Sequence, residues 1–349
     1  MRLRTVAENL VEHLVLKLNQ VPEPLVETQV AFSMARSVMT GVKLGLFESV
    51  ADEPRSASEI ANACSTHPGA TEKLLNALTS CGYFTFQRDR YALRPKTRKW
   101  LLRRSPKNLC DKLLFQFYEW EMVGGYETFV RTGAPHRTHS SIVDSGYWDV
   151  YQKGMRNLAA LWADDVATRF PALPKARDML DIGGSHGYFS VCLCRKFAGL
   201  KSIILDLPEA IKHAAPLLAQ ENMGDRITHR SGDALTDDLG EHTVDIVFLS
   251  QLVHHFTDIQ NRELMKRIAR ALRPQGVCVI LDSVSAQAPG GGDQTAALLD
   301  LYFAMLSESG TWSIATMQDW FRAAGLVPLD AIRFRNMPGG ALVSGRKPA

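Results

Sequence analysis

Three aspartates and a pair of histidines carry the chemistry legible in this chain: Asp181, Asp206, Asp233 and His254-His255. Each stands where an apolar run gives way to polar residues. Asp181 opens the glycine-rich stretch DIGGSHG, Asp206 ends SIILD, Asp233 lies in SGDA after ITHR, and the histidines follow VDIVFLS. A carboxylate in such a place suits a cationic amino group (Asp181), both hydroxyls of a ribose (Asp206) or the exocyclic amine of adenine (Asp233). Phe256, just past the histidines, is suited to stacking on the base. An imidazole, with an unperturbed pKa of about 6.5, suits removal of a proton near neutral pH. Taken singly, each acid reads equally well as a turn or helix-cap residue, and His254 as a capping or buried histidine. Their shared position at successive strand ends is what favours one ligand.

Those positions follow from the alternation of elements after residue 175. The runs DMLDIG, SIILDL, ITHRSGD, VDIVFLS and VCVILD are short, β-branched or apolar, and separated by helical segments, which predicts a parallel sheet covered on both faces. LVPLDAIRF and GGALVSGRK follow one another directly and predict an antiparallel edge. Ligands of such sheets bind beyond the carboxyl ends of the strands. Gly183, Gly184 and Gly187 sit at the first strand-to-helix turn, letting the backbone approach a ligand and exposing the N–H groups that open the helix from about Tyr188. Their spacing does not fit the dinucleotide pattern G-x-G-x-x-G.

The preceding half is helical. Val30, Met34, Val38, Val42 and Phe47 repeat at helical spacing across 25–50. Ser58 suits a helix start, Pro68-Gly69 breaks the chain, helix resumes over 71–81, and YFTF with RYAL form a hairpin around Gln87–Asp89, together a winged-helix pattern. Its second helix offers Glu72 and Lys73 where a DNA reader carries a row of arginines. Long helices are predicted over 107–131, with Phe117 and Trp120, and over 147–169, with Tyr151, Met155 and Trp162.

A chain of 349 residues with 46% hydrophobic side chains has material for two domains with ordinary cores, and its net charge of +3 shows no concentrated basic stripe for nucleic acid. The cluster Lys96, Arg98, Lys99, Arg103 and Arg104 reads as the solvated end of a helix. Six scattered cysteines have no metal-ligand spacing and read as reduced thiols. No signal-peptide core and no run near the ~18 apolar residues of a membrane span occurs, so a cytoplasmic protein without membrane or nucleic-acid partners is expected.

DIGGSHG, ILDLPEA, SGDA, LSQLVHHFTD and LRPQGVCVILD together resemble the S-adenosylmethionine-dependent small-molecule O-methyltransferases of the plant caffeate and hydroxyindole type and their bacterial relatives. VKLGLFESV, SASEIA, LLNALTSCGYF and RYALRP resemble their dimerisation domain, so the likeness runs along nearly the whole chain. It implies a class I methyltransferase fold, with a seven-stranded, mostly parallel, Rossmann-like sheet, behind an N-terminal winged-helix domain that pairs subunits. The domains expected are 1–105 for dimerisation, 106–170 for helices lining the substrate pocket, and 171–349 for the cofactor. S-adenosylmethionine is the implied cofactor, contacted by Asp181, Gly183, Gly184, Gly187, Asp206, Leu207, Asp233, Ala234, Ser250, Gln251 and Phe256, with Met155 over the active site. His254 matches the general base and Asp282 the carboxylate that orients it, one methylene shorter than the plant Glu.

The chain also departs from that family. His255 stands where an acid is frequent, Ser250 where plant members carry a Lys that touches the cofactor, and Trp312 where they carry a second Glu, with Glu308 four residues earlier. The leading expectation is O-methylation of a small aromatic or polyketide-like acceptor by a homodimer, with Phe117, Trp120, Met155, Tyr302, Met305 and Trp312 as candidate pocket residues. The alternative is C-methylation at an activated carbon such as that of an α-keto acid, with His254, His255 and either Glu308 or Asp282 as a metal site. A non-catalytic cofactor-binding or DNA-binding regulator is the remote third.

Overall fold

The computed structural model describes residues 5–135, 145–171, 173, 175–285, 294–307, 309–334, 337 and 339–349. It comprises two units, Arg2–Phe117 and Tyr118–Ala349.

In the first, α1 (Leu10–Lys17) precedes Glu23–Leu25, which runs through a π segment, Val26–Val30, into α2 (Ala31–Lys43). Then come α3 (Ala57–Cys64), α4 (Pro68–Ser80), the hairpin β1 (Phe84–Gln87) and β2 (Arg90–Leu93), α5 (Pro95–Leu101) and α6 (Cys110–Met122), whose last residues, from Tyr118, belong to the second unit. The helix start lies at Ser56, two residues before Ser58. Ser56 accepts the Glu59 N–H while Glu59 receives the Ser56 N–H, a reciprocal cap that Ser58 has no glutamate to complete. Pro68 does not break the chain but opens α4 from its first turn, where a missing N–H has no cost. Arg88 and Asp89, with φ of 50° and 63°, supply the left-handed pair that a tight two-residue hairpin demands. Leu46, Phe47, Val50, Ile60, Leu75, Leu78, Phe84 and Tyr91 form the core. The basic cluster is tied into this unit: Arg98 donates to the Ala51 carbonyl, Arg103 pairs with Asp111, and Arg104 with Asp52.

In the second unit, α7 (Tyr126–Thr132) and the long α8 (Ser145–Arg169) lead into β3 (Asp178–Ile182), α9 (Tyr188–Lys196), β4 (Lys201–Asp206), α10 (Pro208–Ala219), β5 (Ile227–Ser231), β6 (Val244–Ser250), α11 (Asp258–Ala271) and β7 (Leu272–Ser283). They are followed by α12 (Gln294–Leu306), α13 (Ile314–Ala323), β8 (Val327–Pro328), β9 (Ile332–Arg333) and β10 (Gly340–Arg346). The strand order is β5-β4-β3-β6-β7-β10-β8, parallel through β7 and antiparallel from β10. Among the described residues the sheet has eight strands where seven were expected, because the edge is two pairs of residues, β8 and β9, laid against β10. One core, with Met179, Ile204, Phe248 and Val279, packs one face of the sheet, and a second, with Leu180, Val247, Ile280 and Trp320, packs the other. The chain order reverses between β3 and β6, and the crevice above that reversal is where such sheets hold ligands.

Candidate active site

Above the reversal lies a cavity of about 480 Å³, within the range that accommodates a small-molecule ligand. Its wall includes Gly183, Asp206, Leu207, Asp233, Ala234, Gln251 and Phe256, all expected from the sequence. Gly183 follows β3 at φ 68°, and a Cβ there would come within 2.8 Å of Leu252, so the loop hugs the β6 end in a way only glycine allows. Both Asp206 oxygens are held by backbone donors, Oδ2 by the Ser185 N–H and Oδ1 by the Leu207 N–H, each at 2.8 Å. Burial raises its pKa, the two N–H groups opposing. Each oxygen retains a lone pair for a ribose hydroxyl. Asp233 accepts the Leu235 N–H at 2.8 Å, a turn that aims the acid into the cavity.

Other residues serve the site from behind. Asp181 is 1% exposed and not on the described wall. Its carboxyl takes the Ser190 hydroxyl at 2.6 Å and lies 2.4 Å from where a Gly184 Cβ would be. It therefore props the loop, and a direct contact with an amino group does not follow from its position. Burial lifts it to about 7. Gly184 makes room for Asp181, and Gly187 lets α9 approach β4, since its Cβ would meet Ile204 at 2.6 Å. The N–H groups of Gly183, Ser185, Gly187 and Tyr188 all donate within the protein, so the loop exposes fewer donors than its glycines suggested. Ser250 and Met155 are half-buried and off the described wall. Trp148, Tyr151 and Gln152, on the same stripe of α8 as Met155, are on it.

The histidines fall in a helical turn, Val253–His255. His254 is 2% exposed, with Nδ1 2.7 Å from Asp282 Oδ1, which also accepts the Ser283 N–H at 2.7 Å. The ring stacks on Phe303 with centroids 3.8 Å apart. His254 stands behind the described wall, whereas His255, Leu252 and Phe256 belong to it. The turn is strapped in place: Trp312 Nε1 and Asn261 Nδ2 donate to the Val253 carbonyl, and the Ser307 and Ser309 hydroxyls to that of His254. Trp312 is thus a support for the histidine turn and not on the described wall. Phe117 lies in the first unit, under the cations of Arg36 and Lys43. Tyr302 donates to Glu119 at 3.0 Å, and Met305 is fully buried. Glu308 lies outside the described residues. Ser185, Gln152 and Phe303 carried no spacing signal and emerge only from the fold.

A β3-loop-α9 glycine turn, acids on the next two strand ends and a carboxylate-held histidine define a Rossmann-like methyltransferase. The family model of the O-methyltransferase domain matches residues 127–326, and that of the O-methyltransferase dimerisation domain residues 26–103. The chain belongs to the O-methyltransferase family. It is 25% identical over 339 residues, 93% of this chain and 95% of the relative, to 3-hydroxy-5-methyl-1-naphthoate 3-O-methyltransferase of Streptomyces sahachiroi. It is 24% identical to the N,N-dimethyltransferase OxyT of Streptomyces rimosus, over 93% of this chain and 96% of that one. The crystal structure of human N-acetylserotonin methyltransferase in complex with SAM superposes with a TM-score of 0.82 at 18% identity, over 99% of this chain and all of that one (100%).

The methyl donor of this family is S-adenosylmethionine, and the chemistry of the lining suits it: Asp206 would take the ribose diol, Asp233 the adenine amine and Phe256 its ring, beside the close backbone at Gly183. When bound, it supplies a methyl group on a sulfonium, open to displacement in line. No helix among the described residues is long and apolar enough to cross a membrane.

Proposed function

We propose that this chain transfers a methyl group to a hydroxyl of a small aromatic or polyketide-like metabolite, with His254 as general base and Asp282 as its orienting carboxylate. The observation that carries the reading is the 2.7 Å contact of His254 Nδ1 with a buried carboxylate, beside the cavity of Asp206 and Asp233. Engaging Nδ1 leaves Nε2 to take the acceptor proton, which it does when the hydroxyl comes within about 3 Å. Stacking on Phe303 and the strapped turn hold the ring in one orientation, which supports a positioned base. Asp181, Gly184, Gly187, Ser250 and Met155 support the donor site indirectly, and Leu207, Ala234 and Gln251 line it. Of the residues of 106–170 that reach the cavity, Trp148 and Tyr151 wall the acceptor side, and 1–105 pairs two subunits.

The relatives include enzymes named for a naphthoate, for acetylserotonin, for mitomycin and for tetracenomycin, which favours hydroxyls on or near aromatic rings. The test is labelled donor with a panel of phenols, hydroxyquinones, aromatic amines and α-keto acids, read by mass spectrometry. Label on a phenolic oxygen supports the reading, and label only on carbon overturns it. OxyT shows a comparable chain named for methylation at nitrogen, so label only on an amine would move the acceptor class and leave the donor site standing.

A further inference from the structure

The donor is an amino acid as well as a nucleoside, and its carboxylate needs partners. Among the described residues lining the cavity there is no lysine or arginine, while two aspartates are present. The cations of α8 are engaged elsewhere: Arg156 lies over Tyr188 and pairs with Glu221, Lys153 pairs with Asp149, and Arg169 with Asp165. Four N–H groups of the glycine loop donate inside the protein. Two side chains on the wall do hold a buried donor nitrogen that meets no protein acceptor, Gln152 Nε2 and Gln251 Nε2.

Neither is placed by accident. Gln152 is 1% exposed, and its Oε1 accepts the Ser185 hydroxyl, which fixes the amide and leaves its nitrogen buried without a protein acceptor. Gln251 sits at the end of β6 at φ 53°, a left-handed conformation uncommon for a side chain of its kind, locked by its N–H on the Leu281 carbonyl at 2.8 Å. A buried amide donor without a partner is costly, so an acceptor from the ligand relieves both sites. We infer that Gln152 and Gln251 form a neutral amide clamp for the carboxylate of the donor's amino-acid tail, in place of a cationic anchor.

This rests on the donor assignment above, and the experiment separates the two. Calorimetry compares S-adenosylhomocysteine with its decarboxylated analogue, which keeps the adenosine, the sulfur and the amine. Gln152→Leu and Gln251→Leu should each weaken S-adenosylhomocysteine by about 10- to 100-fold, the range for a hydrogen bond to a charged group, and leave the analogue within about 2-fold. Gln152→Glu, which keeps the size and brings a charge to face the carboxylate, should do the same and serves if the leucine variant folds poorly. Equal losses for both ligands, or no loss for either, would overturn the clamp. A wild-type protein that binds neither ligand would instead overturn the donor site.

Discussion

Replacing Asp282 with asparagine separates two things a buried carboxylate can do for a histidine. Oδ1 accepts both the His254 Nδ1 proton and the Ser283 N–H, each at 2.7 Å, while Oδ2 is buried without a partner. Two donors converging on one atom demand oxygen there, so in Asp282→Asn the amide oxygen keeps that place and nitrogen takes the position of Oδ2. The tautomer survives, with Nε2 still able to accept a proton, and only the negative charge is lost. A full imidazolium about 4 Å from a carboxylate gains about 4 kcal/mol at an effective dielectric constant near 20. A half-transferred proton gains about 2 kcal/mol on the same arithmetic. At about 1.4 kcal/mol per decade, kcat should fall by roughly 30- to 1,000-fold. Single-turnover transfer from labelled donor measures this, with calorimetry on S-adenosylhomocysteine as the control for an intact donor site. His254→Ala should cost about 10²–10⁴-fold, and the double variant no more than His254→Ala alone, because Asp282 acts only through that ring. Wild-type turnover in Asp282→Asn, or additive losses in the double variant, would refute the base-and-carboxylate assignment.

Asp206→Ala removes a carboxylate that holds both the Ser185 and Leu207 N–H groups and that we assign to the ribose diol. S-adenosylhomocysteine should bind at least about 100-fold more weakly at roughly 1.5–3 kcal/mol per bond to a charged group, and unchanged affinity by calorimetry would contradict the site. Trp312→Phe deletes one of three donors on the Val253 carbonyl, the others being the Asn261 amide and the Phe256 N–H, so turnover should drop several-fold at constant donor affinity, with stability lower by about 1 kcal/mol. Burial raises Asp181 to about 7 and lowers His186 to about 3. Between pH 4 and about 7 the folded chain holds the Asp181 proton that the unfolded chain releases, so this group makes stability fall as pH rises. His186 does the opposite between about 3 and 6.5, since there only the unfolded chain binds its proton. Asp181→Asn removes the falling slope, and its melting temperature should climb relative to wild type across pH 4 to 7, at up to about 1.4 kcal/mol per pH unit. Parallel melting profiles would refute the buried carboxyl.

The residues that proved legible are those whose place is dictated by the chain alternation itself. Once β3 to β7 are laid in parallel, Asp206, Asp233 and the His254 turn must emerge at one rim of the sheet, and the structure gathers them there. What the alternation does not specify is which way a side chain turns at the strand end. Asp181, two residues before the first glycine of the loop, looks like a ligand contact in one dimension. β3 is covered on both faces, and the small Ser190 and Ser202 leave a polar niche behind the loop. The carboxyl fills that niche and meets the backbone where Gly184 leaves room for it. Gln152 is the converse: a glutamine on an exposed-looking helical stretch has no signature, and its meaning comes from Ser185, 33 residues away, which fixes one end of the amide and leaves the other without an acceptor. Trp312 follows the same logic. As a substitution for an expected glutamate it suggests a lost catalytic group, yet its indole N–H grips the Val253 carbonyl next to His254. A site built this way does its chemistry with few groups and holds them with many, and the holding groups become visible only when hydrogen-bond partners distant in sequence are brought together.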